Sequence, residues 1–425
     1  MSRILIRNAR LIDPDSGLDS TGDIAIADGR IVALGEVSDF TPVQTIEADG
    51  QWAIPGLIDL AARTREPGAT RKADIASEAR AAASAGITTL VVPPDTQPVM
   101  DSPSVVELVH HRAEAAGAAR VVALGALTTG LAGEQLPGMA GLAAAGCPGL
   151  SDGGYPVADS LVLRRALEYA STFALPCLLT PVDTALAQGC LNEGPTATRL
   201  GLAGVPAAAE TAGLGRQMAI ASATQARVHF GRLSSVEGVR LMTAALGEGR
   251  KLSADVAVHQ LFLTDQDAME FDPRFHLQPP LRDIIDREAL RQAVSDGVIR
   301  IICSDHQPHD QDAKDGPFAS TEPGASGIDT LLALVLRLVE EEVLSLHKAL
   351  AAVTIEPAKL LGLESGRLAE GAPADITLVN PNAPWFCTNE SLQSRGKNSP
   401  FLGWEFSARA THTLIAGRLV HQPTQ

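Results

Sequence analysis

Between Pro55 and about residue 345 the chain repeats one pattern: a short apolar run rich in β-branched residues, then a longer Ala/Leu-rich stretch with polar residues at helical spacing. Eight such runs stand out, "GLIDLAA", "ITTLVVP", "RVVALGALT", "CPGLSD", "CLLTPV", "RVHFGRLS", "LSADVAV" and "VIRIICSD". Helix candidates fall between most of them. "KADIASEARAAASA" runs up to Gly86, a residue suited to the left-handed turn that closes a helix, and "ADSLVLRRALEYAS" follows Pro156. Eight strand-helix units predict a closed parallel barrel whose chemistry sits at the C-terminal strand ends. The flanks differ: residues 3–53 hold "ILIRNARLI", "DIAIADGRIVALG" and "TIEADGQWAI", separated by Asp-Gly turns, and residues 374–421 hold "ADITLVN" and "ATHTLIAGRLVH". The expected fold is α/β, a (β/α)8 TIM-like barrel over residues 55–365 with a small β-sandwich built from both chain ends, residues 1–54 and 366–425.

Composition sets limits rather than an activity. A chain of 425 residues with 45% hydrophobic content can bury a sizeable core. Its net charge of −16 is spread without a basic cluster, so neither nucleic acid nor an anionic membrane is an expected partner. The cysteines Cys147, Cys177, Cys190, Cys303 and Cys387 include no C-x-x-C pair and read as free buried thiols. "MSRILIRNARLID" alternates and lacks a signal-peptide core, and "LLALVLRLV" is too short to span a bilayer, so a cytoplasmic location is expected. His110 and His111 read as a solvated helix face, His229 as a hydrogen-bonded core residue, and "GLGRQ" near Gly213 is too short for a nucleotide loop. His306 and His309, flanking Pro308, read by themselves as surface loop residues.

The order of "PGLIDL" with "REPG", "PVMD", "SDGGYPV" followed by "RRALEYA", "LNEG", "PPLR", "SDHQPH", "EPAKLLGL", "GAPADITL" and "NSPFLGWE" resembles dihydroorotase of the long bacterial type, among the cyclic amidohydrolases. The likeness covers nearly the full length. It implies zinc held by imidazole and carboxylate groups, which generates hydroxide near neutral pH, and an aspartate after strand 8 that carries the proton. It also identifies where this chain departs. The two first-strand histidines are Ala61 and Arg63, the fifth-strand histidine falls on Thr180 and the sixth-strand one on Arg232. A guanidinium has no lone pair to give zinc, and a hydroxyl is a poor ligand. The resemblance keeps Asp152 at the strand 4 acidic position, Asp305 at the proton-shuttle position, His309 as the second histidine of "SDHQPH" and Arg65 as carboxylate clamp. Asp95 replaces the family's substrate-binding asparagine, and an acid there would repel an acidic substrate.

Arg63 and Arg232 fall where the metal's charge would sit, which predicts that they act as counter-ions to Asp152 and Asp305; rim arginines pointing to solvent, and aspartates capping strand-end turns, are the alternatives. The pattern leads to a non-catalytic dihydroorotase homologue without metal or other cofactor, expected to form a homo-oligomer. Through the resemblance, it is expected to stabilise the aspartate transcarbamoylase catalytic chain in pyrimidine biosynthesis. Two further readings stand beside it: an active zinc enzyme drawing on Asp152, Asp305, His259 and His309, and a small-molecule binder built around Arg65.

Overall fold

The computed structural model describes residues 3–423. Both chain ends enter one hydrogen-bonded sheet. From the N-terminal side come β1 (Arg3–Asp13), β2 (Leu18–Ala27), β3 (Arg30–Gly35), β4 (Gln44–Glu47) and β5 (Trp52–Pro55). Those that start the barrel are β6 (Leu57–Asp59), β7 (Ile87–Val92), β8 (Arg120–Ala123), β9 (Gly125–Ala126), β10 (Leu150–Ser151) and β11 (Cys177–Leu179). A small parallel pair, β12 (Leu191–Asn192) and β13 (Gly204–Val205), interrupts them before β14 (Val228–Phe230), β15 (Leu252–Ala257) and β16 (Ile301–Cys303). The chain then returns through β17 (Ile376–Asn380), β18 (Trp385–Phe386), β19 (Glu405–Phe406), β20 (Arg409–Ile415) and β21 (Arg418–His421).

The barrel strands pair in parallel in sequence order, β6 with β7, β7 with β8, then β9, β10, β11, β14, β15 and β16 in turn. Leu124 N bonds to Val92 O at 3.0 Å, carrying the third stave from β8 into β9. The ring closes where Ala62 pairs with His306, with Arg63 N bonded to His306 O at 2.9 Å and His306 N to Ala61 O at 3.1 Å. Strands covered on both faces read as continuous apolar runs, and "ITTLVV" of β7 is buried at every position. The lumen is filled by Ile58, Leu60, Val91, Leu124, Leu178 and Ala257, so the barrel is packed and only its mouth is open to chemistry. The two helices anticipated from sequence run over Ile75–Ser84, capped by the Asp74 carboxylate on Ser77 N, and over Ser160–Ser171, capped by Asp159. "GLGRQ" lies inside the helix Ala207–Ser222.

The flanking strands form one eight-stranded sheet, in the order β21-β20-β17-β5-β1-β2-β3 with β4 also on β1, and enclose a separate core that includes Ile6, Ile24, Ile26, Ile376 and Leu414. Asp375, which precedes β17, binds Arg120 at the start of barrel strand β8. Between β17 and β20 the chain leaves this sheet: residues 381–408 cross to the barrel, where Phe401 and Phe406 join its core. No helix among the described residues is long and apolar enough to cross a membrane, and all five cysteines are free and buried.

Candidate functional site

The C-terminal strand ends open into a cavity of about 710 Å³ whose lining includes Arg63, Arg65, Asp95, Thr180, Arg232 and His309. Three of the side chains at this mouth sit on left-handed backbone, Arg65 at φ 62°, Arg232 at 59° and Asp305 at 45°. Non-glycine residues adopt that region at a cost of about 1–3 kcal/mol each, and such strain collects where a strand end must turn a side chain toward a site.

Asp305 is the centre of the cluster. Its Oδ1 lies 3.2 Å from Arg232 NH1 and 3.6 Å from Arg63 NH1, and its Oδ2 accepts from Gln307 Nε2 at 3.1 Å. Arg63 Nε donates to Asp95 Oδ2 at 2.6 Å, with side chains 9% and 13% exposed, so Asp95 is a neutralised partner and not the repelling acid anticipated from sequence. Arg232 NH2 donates to Thr180 Oγ1 at 3.1 Å, and Thr180 in turn donates to Asp152 from its hydroxyl and from its backbone N, both at 2.7 Å. The expected pairing of an arginine with Asp152 is therefore corrected: Thr180 stands between them. Asp152 instead receives neutral donors, the third being Gly154 N at 3.1 Å, and burial raises its pKa against those bonds. Burial opposes the charge of Arg232, but Asp305 and then Asp255 outweigh it and hold its pKa above the ordinary value. Neither Arg63 nor Arg232 points freely to solvent along the rim.

Beneath this layer His229 bridges Asp255 Oδ2 and Ser253 Oγ, each at 2.8 Å, as a core histidine, while Asp255 Oδ1 accepts from Arg232 N at 2.8 Å. Asp59 of "GLIDL" accepts from Ser304 N at 2.9 Å and from its hydroxyl, tying the first strand to the last; burial pushes its pKa up to about 6.

His306 and His309 are both buried, correcting the surface reading. His306 Nδ1 accepts from Gly327 N at 3.1 Å, which leaves Nε2 to donate to Glu78 at 2.9 Å. His309 sits between cations, with Arg65 NH2 3.2 Å from Nε2 and Lys72 Nζ 3.3 Å from Nδ1. Burial, then Arg65, Lys314 and Lys72, lower its pKa to about 2, so the ring is neutral. Arg65 donates from Nε to Pro308 O at 3.0 Å; burial, then Arg63, bring its pKa down to about 10. His110 is half-buried and His111 exposed on the helix Pro103–Ala116.

The donor set does not fit zinc. Ala61 offers no donor, Arg63 and Arg232 offer cations, and Thr180 is committed to Asp152. Asp305 is engaged by two guanidiniums; His259, buried in the turn after β15, is kept neutral by burial and has Nε2 unpartnered among the described residues, but one imidazole is too few donors for zinc. Among the described residues no three His, Cys, Asp or Glu side chains are grouped to hold a metal ion. What the arrangement can do is cross-link the barrel mouth: the chain Asp95–Arg63–Asp305–Arg232–Thr180–Asp152 joins the ends of strands one, eight, six, five, four and two through charge and hydrogen bonds.

Several groups at the mouth were not assigned from sequence. Asn398 accepts from His309 N at 2.9 Å and donates to Gln307 O and Gly324 O, both at 3.0 Å, and Ser394 Oγ donates to Glu78 at 2.6 Å. The only signal for Asn398 was its place in "NSPFLGWE". Lys72 binds Glu322, and Lys314 donates to Glu322 O at 2.6 Å; neither lies in a motif.

Residues 177–420 match the amidohydrolase family and residues 50–238 match the family described as dihydro-orotase-like. A dihydroorotase-like protein of Pseudomonas aeruginosa is 47% identical over 421 residues, covering 99% of each chain, and one of Pseudomonas putida is 43% identical at the same coverage. A protein named dihydroorotase in Syntrophotalea carbinolica is 39% identical, again over 99% of both chains. Among solved structures, the L-hydantoinase of Arthrobacter aurescens superposes with a TM-score of 0.89 at 22% identity, covering 100% of this chain and 97% of its own, a likeness of fold.

Proposed function

The chain belongs to the amidohydrolase family, among the dihydroorotase-like proteins, and on that premise we propose that it is a non-catalytic dihydroorotase homologue that stabilises the catalytic chain of aspartate transcarbamoylase in pyrimidine biosynthesis. The observation that carries the reading is the Arg232–Asp305 pair, in which the proton-shuttle position is engaged by a guanidinium standing where the sixth-strand ligand belongs. Zinc shifts the acidity of its bound water by roughly nine pKa units, and no group around Ala61, Arg63, Thr180 and Arg232 supplies an equivalent activation. Asp305 is also already paired, its Oδ1 lying 3.2 Å from Arg232 NH1 and 3.6 Å from Arg63 NH1. The scaffold is kept while the ligands are changed: the barrel closes, its core is packed, and the two arginines pair with Asp95 and Asp305, although Arg63 NH1 and Arg232 Nε are left without a hydrogen-bond partner among the described residues. That combination suits a chain retained for what its surface contacts.

The test has two arms. The purified chain alone is expected to neither close carbamoyl aspartate nor hydrolyse dihydroorotate measurably, and turnover above about one per second, the low end of ordinary enzymes, would overturn the reading. Aspartate transcarbamoylase is expected to gain stability or activity when this chain is added. Unchanged behaviour would remove the assembly role while leaving the loss of chemistry intact.

A further inference from the structure

Among the described residues of the barrel, the six most exposed large apolar side chains all lie at its mouth end. Tyr155, Leu161, Leu186, Phe271, Ile284 and Ile285 are between 43% and 66% exposed. Each sits in a strand-to-helix connection or in the first turn of the helix that follows: Tyr155 and Leu161 after β10, Leu186 after β11, and Phe271, Ile284 and Ile285 after β15. Such connections ring the C-terminal side of a barrel, and Tyr155 itself lines the cavity there. They are also fastened to their surroundings. Gln266 Nε2 donates to Thr196 Oγ1 at 2.5 Å and Arg282 NH1 to Asn192 Oδ1 at 2.8 Å, which ties the β15 connection to the β11 connection. Arg216 NH2 donates to Val157 O at 2.7 Å, which ties the β10 connection to the helix Ala207–Ser222. Exposed apolar groups scattered singly need no explanation, whereas six collected on one rim mark an interaction surface.

The charge exposed on the same three connections is mostly of one sign. Asp159, Glu193, Asp267 and Glu270 are exposed and enter no ion pair among the described residues. Asp159 and Asp267 accept from backbone N groups, but a hydrogen bond leaves their charge in place. Of the basic residues there, Arg282 is buried and Arg274 is paired with Asp272, which leaves Arg199. A surface in which large apolar groups alternate with unpaired carboxylates is complemented by one that is apolar and basic. We propose that a protein partner with an apolar, basic contact face docks across this rim and covers the barrel mouth. The inference rests on the assembly reading, in which that partner is the catalytic chain of aspartate transcarbamoylase. A site that turns over substrate must keep its mouth open; one cross-linked through Asp95, Arg63, Asp305 and Arg232 has no substrate to admit and is free to be covered. Because the connections are already fastened, little chain entropy is lost on docking.

The test is the affinity of the full chain for the purified aspartate transcarbamoylase catalytic chain, measured by biolayer interferometry at low and high salt. Ile285→Arg and Leu161→Arg are each expected to weaken the complex by at least about tenfold, the loss of one well-packed apolar contact. Glu270→Lys should weaken it at low salt and flatten its salt dependence. Phe173→Arg, at a residue 39% exposed just beyond the far end of the helix Ser160–Ser171, should bind as the unsubstituted chain does. All four positions are exposed, so melting temperatures should stay unchanged. Rim variants that bind as tightly as the unsubstituted chain would remove the docking surface and leave the assembly reading standing. No complex with the unsubstituted chain would overturn both. A dimer of the chain alone that the rim variants dissolve would assign the rim to a second copy, and the proposal would fall with it.

Discussion

At position 232 a guanidinium on left-handed backbone spans Asp305 and Thr180, so removing it leaves a carboxylate that is 2% exposed with Arg63 alone, 3.6 Å away. Breaking a buried pair from one side costs about 3–5 kcal/mol, because the surviving charge is left uncompensated. Because Arg63 still faces Asp305, Arg232→Ala is expected to destabilise by a few kcal/mol, toward the lower end of that range, in urea denaturation, and Asp305→Ala added to it should recover part of the loss. Strictly additive losses would show that the two residues are not coupled. His276 supplies a pH-dependent case. Its Nδ1 lies 2.9 Å from Thr321 Oγ1 and its ring stacks on Phe318; burial, then Lys314, lower its pKa from 6.5 to about 4. Below 6.5 the unfolded chain takes up a proton that the folded ring refuses until about 4, so its contribution is complete above 6.5 and is lost as pH falls toward 4. His276→Gln should make the stability-pH slope in that window shallower by up to about one proton; an unchanged slope would remove His276 as a source. The lost ligand positions were legible one residue at a time. Which carboxylate each arginine meets was not, since Arg63 reaches Asp95 and Asp305 from other strands, and a single threonine decides that Asp152 meets none.

The arm of residues 381–408 is the element whose role the strand pattern conceals. It leaves β17, packs on the barrel and returns to β20, and on the way Asn398 makes three hydrogen bonds to the loop after β16. Each buried group left without its partner costs about 1–3 kcal/mol. Asn398→Ala is therefore expected to cost on the order of 3 kcal/mol and to speed hydrogen exchange in the segment 307–324 above that of the barrel strands. Exchange rising equally everywhere would mean that the arm holds the whole barrel and not this loop. Apolar periodicity finds elements that bury a face, and it found all eight barrel staves, even β10, which is only Leu150–Ser151. An irregular arm that packs aromatic residues on the barrel and satisfies loop carbonyls through Asn398 has no period to detect.

Across the whole molecule, two cores meet along one chain: the packed barrel, and the sheet assembled from both ends, joined at Arg120 and Asp375. The mouth of the barrel is closed by ion pairs and hydrogen bonds from six strand ends, so folding should need no bound metal. Thermal unfolding is expected to be unchanged by a chelator, and a drop of several degrees on adding one would contradict this. The sequence by itself determined the alternation of strands and helices, the strand-rich ends and the replacement of imidazoles by groups that cannot bind zinc, because periodicity and side-chain chemistry are local properties. Only the tertiary structure decided that Asp95 is paired with Arg63 and that His306 and His309 are buried. Those facts depend on which strand ends come within hydrogen-bond reach once the barrel closes, and distance along the chain carries no record of it.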